Sequence, residues 1–130
     1  MTGLDTSVVL RLLIGEPADQ AERARTFLDE LFAAGDRAVV SDLVISEVYF
    51  ALQYHYQVPK EEALVALRAM FDAGEIVGSG VAPAVLRTKN LANAKPGFVD
   101  RLIHLAYDRA GDGMATFEKS GRRLAGVRVL

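Results

Sequence analysis

Short β-prone runs alternate with longer stretches of helical periodicity along the whole chain, and this alternation is the strongest constraint on its fold. Gly3 to Asp5 reads as the end of a short buried strand, and Thr6-Ser7 as the cap of a helix through Val8 to Ile14 that Glu16-Pro17 ends. From Asp19 to Ala34 the apolar residues Ala21, Ala24, Phe27, Leu28, Leu31 and Phe32 recur at helical spacing before Gly35, which predicts an amphipathic outer helix. Ala38-Val39-Val40 is a β-prone run, followed by Ser41 or Asp42 as cap of a helix to about Tyr56. Pro59 opens a helix over Lys60 to Asp72 whose inner face carries Ala63, Leu64, Leu67, Met70 and Phe71. Glu75 to Val77 reads as a strand and Pro83 to about Ala94 as a helix. Pro96-Gly97 breaks the chain before a helix from Phe98 to Ala110, and Gly113 to Phe117 and Val127 to Leu130 are the last strand candidates. Strands that alternate with helices predict an α/β layer structure with a mostly parallel sheet of four or five short strands. In such a sheet, functional residues gather outside the carboxyl ends of the strands.

A chain of 130 residues fits one compact domain, 1–130, able to bury roughly two-thirds of its unfolded surface. With 51% hydrophobic and 25% charged residues, long disordered stretches are not expected. The absence of cysteine excludes disulfides, thiolate metal sites and a cysteine nucleophile, leaving oxygen and imidazole chemistry. Neither a leader-like amino terminus nor an apolar run of membrane-spanning length is present, so a cytoplasmic protein without membrane attachment is expected. The net charge of −2 lacks the basic excess of proteins that hold nucleic acid by charge alone; any such binding needs a local patch or a bridging metal.

Four acidic residues stand at predicted element ends or in an apolar helix: Asp5, Glu47, Asp100 and Glu118. Each has an ordinary explanation when taken alone. Asp5 suits a helix N-cap. Glu47, in a helix apolar on almost every face and so expected to be buried on most sides, suits an ion pair to Arg11 or Arg101, or a narrow polar edge. Asp100 suits the first turn of a helix, and Glu118 a solvated loop with Lys119, Arg122 and Arg123. His104, four residues after Asp100, reads as a partly buried, hydrogen-bonded histidine rather than a metal ligand. As a set, however, clustered carboxylates repel one another and call for a cation. Mg²⁺ or Mn²⁺ is the natural occupant of an oxygen-only site. Such an ion activates water and stabilises a pentacoordinate phosphate, so the expected reaction is phosphodiester hydrolysis.

The segments that carry these acids resemble the signature of the PIN-domain family. Gly3-Leu4-Asp5-Thr6-Ser7 followed by an apolar helix resembles its opening motif, and Ser46-Glu47-Val48 its second. Phe98-Val99-Asp100-Arg101 resembles the third, Ala115-Thr116-Phe117-Glu118-Lys119 the fourth, and Gly126 to Leu130 the closing strand. The resemblance implies a three-layer α/β/α fold and a Mg²⁺- or Mn²⁺-dependent ribonuclease similar to VapC-like toxins. It further implies frequent dimerisation and inhibition by a cognate small antitoxin. The expected metal ligands are Asp5, Glu47, Asp100 and Glu118, and Thr116 resembles the hydroxyl residue that lines the same site.

The fourth motif departs from the pattern, with Glu118 in place of the usual aspartate and Ser120 in place of a frequent further acid. A PIN-like binding module that holds antitoxin or RNA with little or no catalysis is therefore the alternative. A phosphotransfer domain is disfavoured, because position 7 is Ser7 where a second aspartate would be needed and no acidic pair precedes Asp5. Arg11, Lys95, Arg101, Lys119, Arg122 and Arg123 flank the motifs as candidate contacts to RNA phosphates, while Tyr49, Phe50, Tyr54 and Tyr56 suit core, dimer or antitoxin contacts.

Overall fold

A computed structural model describes residues 1–130, which divide into two compact units, Met1–Ser79 and Gly80–Leu130. The alternation read from the sequence is present in both, so the fold is α/β with only parallel strand pairs.

In the first unit, β1 (Thr2–Gly3), β2 (Ala38–Val40) and β3 (Ile76–Gly78) form a parallel sheet in sequence order, with Ala38 paired to both Thr2 and Ile76. Parallel neighbours need crossovers, which are supplied by α1 (Thr6–Ile14) with α2 (Ala18–Ala33), and by α3 (Asp42–Tyr54) with α4 (Lys60–Asp72). The core lies where helix faces meet β2: Ala38, Val40, Val9, Ile45, Val48, Leu52 and Leu67 are at most 2% exposed. Burying each of the larger of these side chains contributes about 1.5–3 kcal/mol.

Several sequence expectations shift here. The first strand is Thr2–Gly3 and both of its residues are exposed; burial begins at Leu4. Of the two caps offered by the sequence for α1, Asp5 rather than Thr6-Ser7 is the one formed: its carboxylate accepts from the Val8 N–H at 3.1 Å. Gly15 ends α1 in the left-handed region at φ 80°, a conformation that costs glycine no Cβ clash. In α2 only Leu28 is buried, with Phe27 and Phe32 both more than a third exposed. The expectation that α3 is covered on most sides is also corrected. Ile45, Val48, Tyr49 and Leu52 are buried, while Leu43, Glu47, Phe50 and Tyr54 form an exposed stripe.

In the second unit, β4 (Met114–Thr116) pairs in parallel with β5 (Val127–Val129), so the five strands form ladders of three and two. The helix predicted from Pro83 to Ala94 is instead α5 (Ala82–Val85) and a 3-10 turn at Leu91–Asn93. Asn90 lies between them in the left-handed region at φ 54°, which interrupts the helical path. The next helix, α6 (Phe98–Arg109), buries Phe98 and Leu102 and presents Asp100, Ile103 and Tyr107 to the exterior. A second 3-10 turn (Lys119–Arg123) links β4 to β5. No helix is long and apolar enough to cross a membrane.

Candidate functional site

The acidic residues fall into two pairs, one per unit. In the first unit, Asp5 follows the carboxyl end of β1, where the sheet rule places functional groups. The Ser7 hydroxyl donates to its Oδ1 at 2.6 Å and the Val8 N–H to the same oxygen. These donors, the Ser7 hydroxyl foremost, hold its carboxyl below the ordinary aspartate value, with a smaller contribution from the Arg11 charge. Asp5 is therefore a fixed anion at neutral pH. Glu47 lies on the exposed stripe of α3, and its Oε2 accepts from the Thr6 hydroxyl at 3.0 Å, which ties the second motif to the residue after Asp5. The ion pair considered for Glu47 with Arg11, in the same unit, is not formed; its partner is a hydroxyl.

In the second unit, Asp100, Thr116 and Glu118 line one concavity of about 250 Å³, together with Ile103, Tyr107 and Gly121. Asp100 is in the first turn of α6 and Glu118 follows β4. Both are exposed, and their carboxylates have no hydrogen-bond or ion-pair partner. Thr116 accepts the Glu118 N–H on its Oγ1 at 3.0 Å, which fixes the turn out of the strand and leaves the hydroxyl hydrogen free to donate. Gly121 was not among the residues singled out from the sequence. A Cβ there would meet Thr116 Cγ2 at 2.8 Å and Val127 Cγ1 at 3.2 Å, so the bare backbone is what lets Thr116 sit as it does. The GlyArgArg sequence after Ser120 offers only the signal of a turn.

His104 is not a ligand candidate, because its Nε2 is 2.7 Å from the Ala125 carbonyl oxygen, as expected for a partly buried, hydrogen-bonded histidine. Of the basic candidates, Arg11 donates from Nε to Gln20 at 2.7 Å and Arg101 to the Pro96 carbonyl at 2.7 Å; both are half-buried. Lys95, Lys119 and Arg122 are exposed. Arg122 donates to the Lys119 carbonyl at 3.1 Å, and Arg123 donates to the Lys95 carbonyl at 3.3 Å.

The donor chemistry fits a hard divalent cation, since both pairs offer carboxylates accompanied by hydroxyl oxygens and the chain has no thiol. Within neither unit do three or more Asp, Glu or His side chains gather as a ready metal cage. A model of the PIN domain matches residues 4–125, a span that runs through both units. No curated protein and no solved structure matches the chain.

Proposed function

Because the chain belongs to the PIN-domain family, whose members are generally nucleases, we propose that it is a Mg²⁺- or Mn²⁺-dependent endoribonuclease in which residues 1–130 act as one domain. The observation that carries this reading is the pairing of acids at the motif positions: Asp5 with Glu47 around Thr6, and Asp100 with Glu118 on one concavity beside Thr116. The proposed metal-holding residues are Asp5, Glu47, Asp100 and Glu118. A divalent ion at these carboxylates supplies the Lewis acidity that activates water and neutralises charge on the phosphate. Asp5, fixed by Ser7 and Val8, offers its anion without reorganising, and Thr6 holds Glu47 through a hydrogen bond. The unpartnered carboxylates of Asp100 and Glu118 are open to a ligand, and the Thr116 hydroxyl is a donor within the same concavity. Lys95, Arg101, Lys119 and Arg122 in the second unit, and Arg11 in the first, supply positive charge for the RNA backbone.

The proposed biological setting is the toxin half of a toxin–antitoxin pair, working as a homodimer and held inactive by a small antitoxin. The exposed α3 stripe supports a protein contact there. Phe50 stacks on Tyr54 at 6.2 Å and tilts against Tyr49 at 5.5 Å, and Leu43 and Tyr54 are 69% and 79% exposed, an apolar surface of the kind that partners cover.

Purified protein is expected to cut single-stranded RNA with Mg²⁺ or Mn²⁺ and not with EDTA, and Asp5→Asn is expected to abolish cutting. Asparagine caps a helix as well as aspartate does, so α1 is retained and the loss reports the missing charge. Undiminished cleavage by Asp5→Asn, or cleavage that persists in EDTA, contradicts the reading. The alternative, a binding module without catalysis, is favoured by the substituted fourth motif, with Glu118 where an aspartate is usual and Ser120 where a further acid is frequent. It predicts RNA or antitoxin binding with no metal-dependent cleavage.

A further inference from the structure

A second concavity, of about 420 Å³, lies between α1 and α2 and includes neither acid pair. Ser7 and Arg11 of α1 line it, facing Gln20, Arg23 and Phe27, which recur on one face of α2 at i, i+3 and i+7. No carboxylate is among the lining residues.

The cations here differ from Arg25 and Arg68 of the same unit. Arg25 is ion-paired with Asp29 and Glu75, and Arg68 with Asp72, whereas Arg11 and Arg23 have no carboxylate within ion-pair distance. The half-buried Arg11 is oriented by a neutral group, its Nε donating to Gln20 Oε1 at 2.7 Å. An amide fixes the guanidinium plane and leaves its charge and terminal nitrogens for a ligand, which a carboxylate in the same place would neutralise. Phe27 leaves 39% of its surface to water beside these cations. Ser7, on the cleft wall, also donates to Asp5, so the cleft adjoins the first proposed metal ligand.

Planar cations match phosphodiester oxygens, and an accessible ring beside them offers a face to an unstacked base. With a net charge of −2, the chain needs such a local patch to attract a polyanion. We propose that the α1–α2 cleft holds a phosphodiester and a neighbouring base of single-stranded RNA. Arg11 and Arg23 take the phosphate, Gln20 sets the Arg11 fork, and Phe27 meets the base. This rests on the reading of RNA as substrate and adds where a strand is held beside Asp5.

The test is fluorescence anisotropy of a labelled oligouridylate of about twelve nucleotides in EDTA, where cleavage plays no part. Gln20→Glu is the decisive variant, because it keeps a partner for Arg11 but cancels its charge. Affinity is expected to fall about tenfold with the melting temperature unchanged or raised. Arg23→Gln is expected to weaken binding about fivefold and to reduce the slope of log affinity against log salt by about 0.7, the value for one single-strand phosphate contact. If Gln20 only braces the two helices, Gln20→Glu binds RNA like the wild type, and that result overturns the proposal. Unchanged RNA affinity with lost binding of a glutamate-rich peptide overturns it too, by assigning the cleft to a protein partner. Metal-dependent cleavage alongside wild-type RNA affinity in both variants removes the cleft and leaves the ribonuclease reading intact. RNA held through the cleft with no cleavage under any metal does the reverse.

Discussion

The two acid pairs are built differently. In the first unit both carboxylates of the pair are held: Asp5 by a serine hydroxyl and a backbone amide, Glu47 by a threonine hydroxyl. In the second unit Asp100 and Glu118 line an open concavity, and their carboxylates are unpartnered. An anion that already has donors is cheap to keep in place and slow to reorient, while a free one turns to whatever cation or proton arrives. The first pair is thus fixed in place and the second is adaptable. The substituted fourth motif belongs to the adaptable pair, where the longer Glu118 side chain has room to adjust.

The largest effect that sharpens this contrast is on rate. Asp100→Asn is expected to lower metal-dependent RNA cleavage by roughly two orders of magnitude or more while shifting stability by no more than about 0.5 kcal/mol, because its carboxylate holds nothing in the fold. Quantified product formation and a melting curve on the same sample check both halves of that statement. A melting temperature that falls with the rate would give Asp100 a structural role and break the contrast.

A smaller effect is expected at Gly121. Gly121→Ala places a methyl 2.8 Å from Thr116 Cγ2, an overlap that costs about 1–3 kcal/mol and pushes Thr116 from its place. Adding Thr116→Ser removes the methyl that is struck and keeps the hydroxyl, so the double variant should regain most of the stability in chemical denaturation. No recovery would mean that Val127 or the turn itself sets the constraint.

The smallest effect belongs to Asp5. Its folded pKa lies below the unfolded value because the Ser7 hydroxyl and the Val8 amide favour the anion. The resulting stabilisation is present above the unfolded value of about 3.9 and is lost as pH falls through the folded-state value. The stability of wild type relative to Asp5→Asn should therefore decline on acidification below about pH 4 and stay level from pH 5 to 7. A difference that grows on acidification would contradict the hydrogen bonding described.

Much of the fold was legible in the sequence because the strongly periodic helices and the short apolar strands carry their own signals. The segments Lys60–Asp72, Ala38–Val40 and Phe98–Arg109 lie within a residue of expectation. The stretch from Pro83 to Ala94 was misread because its apolar spacing is also met by two short turns around a left-handed Asn90, which hydrophobic periodicity does not register. In α3, apolar residues on almost every face suggested burial on most sides, but composition does not reveal which face lacks a neighbour, and Leu43, Phe50 and Tyr54 remain exposed beside Glu47. At the candidate site the acids were visible as residue types at element ends. Their partners Thr6 and Ser7 were read as helix caps, and the steric role of Gly121 depends on the close approach of Thr116, which no local pattern encodes.

The central claim is that these carboxylates exist to hold a divalent cation, and calorimetric titration with Mn²⁺ tests it most directly. The wild-type protein should bind Mn²⁺ with a measurable heat, and Asp5→Asn and Asp100→Asn should each remove that heat while keeping the fold. A wild-type protein that takes up no Mn²⁺, or two variants that bind it as the wild type does, would contradict the account.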